Sequence, residues 1–306
     1  MKKLLLRTSG VLVTCLLICA SAWSQAPCPP AEWNRASLQA LKDAKWVMES
    51  PAQREALALA LVSCLADPDP QLRDGYAFEA LSAWSRKSLL STDTQRRIFG
   101  LLMPLLDASV PDSHGFAAPF AALALAEVSR GDRLAGFLSS QERNALVHAS
   151  TQYVRQVKDY RGFIVGQGWR HGVAHGADLL MQLALNPAMD QAQLERLVEA
   201  ALSQVVPADG HFYVYGESER LARPVLFAAR RSLMAPEWWR TALERFANPQ
   251  PLAAWEQAFD SQSGLARLHN TKAFFLVLFA NVRDSSHDGL RGALLDPVRA
   301  VLGKLP

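Results

Sequence analysis

Ser50-Pro51-Ala52-Gln53-Arg54-Glu55-Ala56-Leu57-Ala58-Leu59-Ala60-Leu61-Val62-Ser63-Cys64-Leu65-Ala66-Asp67-Pro68-Asp69-Pro70-Gln71-Leu72 is the stretch on which the fold turns. Ser50 is placed to cap a helix, Pro51 suits its first position, and Gln53 stands where a capping box needs it. The run ends near Leu65, Asp67-Pro68 breaks it, and Asp69-Pro70 opens another in which Leu72, Tyr76, Ala80 and Trp84 keep helical spacing. The same punctuation recurs at Ser91, at Ser139 with Glu142, and at Asp190 with Gln193, with breaks at Asn186-Pro187 and Asn248-Pro249. Starts fall about twenty residues apart, so a helix pair takes about 40, the length of a HEAT-type repeat. The expectation is an all-α chain, an α-α superhelix of stacked helix hairpins of HEAT or armadillo kind. Residue patterns leave open whether it stays an arc or curls toward an α/α ring.

Strand signals are sparse. His211-Phe212-Tyr213-Val214-Tyr215 alternates weakly inside a loop after Pro207. Ala273 to Ala280 is apolar all round but too short to span a bilayer, which predicts a core helix.

The amino terminus reads as a targeting segment. Lys2, Lys3 and Arg7 precede an apolar stretch from Val11 to Ala20, and Ala20-Ser21-Ala22 is the small-x-small pattern that signal peptidases cut. Residues 1–22 are therefore expected to be a signal peptide and residues 23–306 a single domain, periplasmic or secreted, with no transmembrane anchor after cleavage. Cleavage removes three of the 32 Lys and Arg and none of the 29 Asp and Glu, leaving 29 of each. A chain without net charge or a basic cluster lacks the footprint of a nucleic-acid binder. Cys15 and Cys19 leave with the signal. Cys28 and Cys64 remain, and an even pair in an oxidising compartment is a disulfide candidate. Antiparallel helices over 33–48 and 51–65 would return Cys64 to Cys28, a link stabilising the hairpin by roughly 3 kcal/mol.

The chemistry concentrates in Gly168-Trp169-Arg170-His171-Gly172-Val173-Ala174-His175-Gly176-Ala177-Asp178-Leu179-Leu180. Wound as one helix, Trp169, Val173, Gly176, Leu180 and Leu183 form a core face, and His171, His175, Asp178 and Gln182 a polar stripe opposite. Two imidazoles one turn apart, with Asp178 as third ligand or orienting carboxylate, could hold a divalent metal such as zinc. The alternatives are metal-free ligand binding and a structural polar cluster. Solvated faces are normally filled with Lys, Glu and Arg, so plain exposure is disfavoured. Gly172 and Gly176 predict the close approach of another backbone or a ligand.

A second constellation is Gly216-Glu217-Ser218-Glu219-Arg220, where Glu217 could act as general base or simply favour a helix start. Arg161, in Asp159-Tyr160-Arg161-Gly162, could clamp an anion or brace its loop through a carboxylate. His269-Asn270-Thr271-Lys272 is read as capping a late helix. Trp169, Trp238, Trp239 and Trp255 could line a sugar-binding groove, though tryptophan at helix spacing is usually core. No nucleophile elbow, phosphate loop, dinucleotide fingerprint or His-Glu-x-x-His motif occurs.

Asp69 to Asp74, Arg161-Gly162, Trp169-x-His171-x-x-x-His175-x-x-Asp178 and Gly216-Glu217-x-x-Arg220-Leu221-Ala222 together resemble the bacterial family known as domain of unknown function 2785, over roughly residues 50 to 285. The resemblance implies a helical-repeat fold and brings no activity. Where that family tends to carry Arg-Ser-Phe, this chain has Ala118-Pro119-Phe120. The leading expectation is an exported protein with a site for a small molecule or protein partner formed by Trp169, His171, His175, Asp178, Arg161 and Arg220. The enzyme alternative is a metal-assisted hydrolase of the cell envelope, with His171, His175 and Asp178 as ligands and Glu217 as base. A related version acts on saccharides through Asp178 and Glu217.

Overall fold

A computed structural model describes residues 27–306; the expected signal segment lies outside them. Helices α1 (Arg35–Asp43) and α2 (Pro51–Leu61) form the first pair, and α2 tightens into a 3-10 segment, Val62–Ala66. Ser50 accepts the Gln53 N–H and Pro51 takes the first turn, as the sequence required. The first helix is shorter than the expected 33–48, because Lys45 and Trp46 adopt left-handed backbone angles that end it. Cys28 and Cys64 are disulfide-bonded, their Cα atoms 5.3 Å apart.

Gln71–Phe78 is wound as a π-helix and runs directly into α3 (Glu79–Arg86). Then come α4 (Thr92–Leu102), α5 (Ala117–Ala135), α6 (Ser140–Gln156), α7 (Gly172–Ala184), α8 (Gln191–Ser203), α9 (Glu217–Arg230), α10 (Pro236–Glu244), α11 (Gln262–Val282) and α12 (Asp288–Leu302). Ser91, Ser139 and Asp190 cap α4, α6 and α8, the last two through complete capping boxes with Glu142 and Gln193.

The fold is all-α, with one short antiparallel hairpin among the described residues. It pairs β1 (Phe163–Ile164) with β2 (Gly168–Trp169). The alternating stretch at 211–215 is no strand but an extended loop. Buried Asn270 pins it, accepting the Tyr213 N–H and donating to the His211 carbonyl. His269–Lys272 therefore lies within α11, whose cap is Ser261, and does not open a helix.

Successive helices pair as α4 with α5, α6 with α7, and α8 with α9, while α3, α5, α7, α9 and α11 also pack on one another in series. A single apolar core runs from Leu38 to Val301, with a small satellite around Trp255. No described helix is long and apolar enough to cross a membrane; the 273–280 run sits inside α11, with Phe274, Phe275 and Leu278 fully buried.

This arrangement places α7 between α5 and α9 with α6 behind it. Gly176 explains the closeness of α6, since a Cβ there would meet Val154 Cγ2 at 2.6 Å. The close approach expected at the glycines is thus made by side chains of α6. A helix enclosed on all sides buries its polar stripe as well as its apolar one, and that places the candidate site.

Candidate functional site

The stripe on α7 is interior. His171 is 8%, His175 6% and Asp178 9% exposed, against 0% for Leu180 on the opposite face. Helix α7 starts three residues later than the sequence projection assumed. Gly168 and His171 both take left-handed backbone angles, and His171 is the residue before the first helical one. Trp169 therefore leaves the core face it was assigned. It lies on β2, 38% exposed, with its ring stacked on His171 at 4.7 Å. The imidazoles of His171 and His175 still meet, ring centroids 5.7 Å apart, because the helix carries His175 back over its start.

The neighbouring elements add the remaining groups. From α9, Glu217 is 2% exposed; its Oε2 accepts the Tyr215 N–H at 2.9 Å and its Oε1 stands 3.6 Å from His171 Nε2. Arg220, one turn on, pairs with Asp178, and Arg223 Nη1 approaches Asp178 Oδ1 at 3.8 Å. From α5, the Phe120 ring meets His175 edge-on at 5.2 Å. Behind it, fully buried Arg73 lies over Phe116 at 3.7 Å and donates to the Gln167 carbonyl at 2.7 Å, fastening the β1–β2 turn. Nothing local in the sequence marks Arg73 or Phe120 as neighbours of the stripe, since both arrive from other helices.

Electrostatics keep the two rings neutral. Burial, then the charge of Arg220, lowers His171 from 6.5 to about 4. Burial lowers His175 to about 3, with His171 and Arg220 adding to the effect. Burial also raises the Asp178 carboxyl, against the opposing pull of Arg220 and Arg223. The Tyr215 and Pro119 backbones work the other way, favouring the protonated His171 and His175 rings, and do not overcome burial. A hydrogen-bond partner is nevertheless lacking at His171 Nε2, His175 Nδ1, Asp178 Oδ1 and Glu217 Oε1, all buried.

The expected metal set is not assembled. Asp178 is turned to Arg220, and among the described residues no three His, Cys, Asp or Glu side chains are grouped to hold an ion. Arg161 reaches the centre only through its backbone, its carbonyl accepting the His171 N–H at 3.1 Å. It pairs with Asp159, Nε to Oδ1 2.7 Å, and braces the loop before β1. Trp239 and Trp255 are buried, so of the tryptophans considered for a ligand surface only Trp169 borders this centre. A cavity of about 360 Å³ between α7, α9, α11 and α12 shares Arg223 with the centre but is otherwise lined by groups such as Met181, Phe227 and Leu290.

Compared with known protein families, residues 108–279 match one described as a protein of unknown function, DUF2785. The match covers more than half of the chain and includes α5, α7 and α9, but not the Asp69–Asp74 stretch. No curated protein and no solved structure matches.

Proposed function

The chain belongs to the DUF2785 family, and from that premise we propose that it is an exported single-domain protein whose centre between α5, α7 and α9 binds a small ligand. The observation carrying this reading is the cluster of four buried polar atoms without hydrogen bonds, at His171, His175, Asp178 and Glu217, of which only the Asp178 oxygen has a cation, Arg223, nearby at 3.8 Å. Each such atom costs about 1–3 kcal/mol, and native interiors satisfy nearly all of theirs. A structural role for the cluster would give these atoms hydrogen bonds, and none of the four makes one among the described residues.

Export is supported by the Cys28–Cys64 bond and the leader-like sequence of residues 1–22. The serial packing of α3, α5, α7 and α9 with their hairpin partners supports reading the fold as stacked hairpins of HEAT kind. A catalytic version gives Glu217 the part of general base. In its favour is the neutral His171 ring 3.6 Å from the free carboxyl oxygen.

The test is the stability of His175→Phe, which replaces a ring with an unpaired nitrogen by an apolar ring of similar shape beside Phe120. If polarity here is kept for a ligand, the free protein gains about 1 kcal/mol in urea unfolding. A loss of that size or more would mean that His175 serves the fold.

A further inference from the structure

Four buried atoms of this centre have no hydrogen bond: His171 Nε2, His175 Nδ1, Glu217 Oε1 and Asp178 Oδ1. The two carboxyl oxygens call for a donor, and each neutral ring offers one N–H and one lone pair. An occupant that both donates and accepts hydrogen bonds therefore suits all four.

Charge narrows the donor further. Arg220 stands on Asp178, and Arg73 lies under Phe120, whose edge touches His175. An ammonium, a guanidinium or a metal ion would enter against these fixed cations. An anion would meet the carboxyls of Asp178 and Glu217. Neutral hydroxyl groups meet neither obstacle.

Exposed aromatic rings beside the centre supply the remaining contact. Trp169, Tyr215 and Phe163 are 38%, 41% and 45% exposed, and Trp169 meets both other rings edge-on at 5.7 and 5.3 Å. Exposed aromatic rings beside a few buried polar groups are the usual lining of a small-molecule site. They suit the flat C–H face of a sugar ring, whose hydroxyl edge then points inward.

We propose that the ligand of this centre is a neutral saccharide, its ring lying against the exposed parts of Trp169 and Tyr215 and its hydroxyls hydrogen-bonding to Glu217, His171 and Asp178. The proposal rests on the ligand-binding reading above and commits it to a chemical class.

The test uses chitotriose and maltotriose as probes and spermidine as the cationic comparison, with saturation-transfer NMR and calorimetry on the mature chain. At least one saccharide is expected to bind, about tenfold or more weakly to Trp169→Ala and to Glu217→Gln. Circular dichroism confirms that each variant is folded. Saccharide binding unchanged in both variants would overturn the assignment to this centre. Spermidine binding in place of the sugars, lost in Glu217→Gln, would overturn the class and keep the site. If no probe binds while His175→Phe is stabilised, the saccharide class fails alone; if no probe binds and His175→Phe is destabilised, the ligand-binding reading fails with it.

Discussion

His171 Nε2 and Glu217 Oε1 face each other across 3.6 Å, both buried and neither with a hydrogen-bond partner. The two atoms come from the start of α7 and the start of α9, so the packing of those helices enforces the encounter. At that distance they do not share a hydrogen bond, and a hydrogen on one of them is what a closer contact would need.

Stability is expected to fall as the medium is acidified from neutrality. Unfolded histidines take up protons near pH 6.5, whereas in the native fold His171 does so only at about 4 and His175 at about 3. In between the unfolded chain binds more protons, so stability present at neutral pH is lost as pH falls. The slope is at most about 1.4 kcal/mol per pH unit for each ring. Asp178, raised by burial, works in the opposite sense within the carboxylate range. Urea midpoints at pH 7.5, 6 and 5 should decline, and more shallowly in His175→Phe. Equal slopes in the two proteins would contradict the neutral, buried His175.

Gly168→Ala tests how the β1–β2 turn is fastened. Its φ is +76°, and a Cβ would stand 2.8 Å from Pro70 Cβ and 2.9 Å from Asp74 Oδ2. Gly166, at φ +79°, has open space around it. Gly166→Ala should cost about 1 kcal/mol of backbone strain, and Gly168→Ala about 1–3 kcal/mol more as its contacts are forced apart. Equal losses would show that the turn does not depend on the segment around Arg73.

Removing the disulfide should weaken the amino-terminal pair. The bond joins residues 36 apart in sequence, and the chain-entropy model gives it about 3–4 kcal/mol. The Cys28→Ala/Cys64→Ala double variant should lose about that much in urea unfolding. An unchanged midpoint would contradict the stabilising role.

Much of the helix layout could be read directly because caps are local. Ser50, Ser91, Ser139 and Asp190 each accept the N–H three residues on, a contact needing no distant partner. The stripe of His175 and Asp178 was legible for the same reason, since spacing along one helix sets it, and His171 joins it from the residue before the first helical one. Trp169 was misplaced because the 3.6-residue period was carried back past Gly168 and His171, whose left-handed angles break it. Asn270 looked like a cap because its true partners, Tyr213 and His211, lie 57 and 59 residues away. Arg73 and Phe120 come to the centre through tertiary packing, which periodicity does not encode.

The stability of Glu217→Gln decides whether His171 and Glu217 are held unsatisfied. The amide keeps an oxygen for the Tyr215 N–H and presents its NH₂ to His171 Nε2, a donor for that nitrogen when the ring carries its hydrogen on Nδ1. Urea unfolding at pH 7 should show the variant more stable than the natural protein by about 1 kcal/mol. A variant less stable by that amount would mean that the pair already shares a hydrogen in the free protein, and that no ligand is needed to supply it.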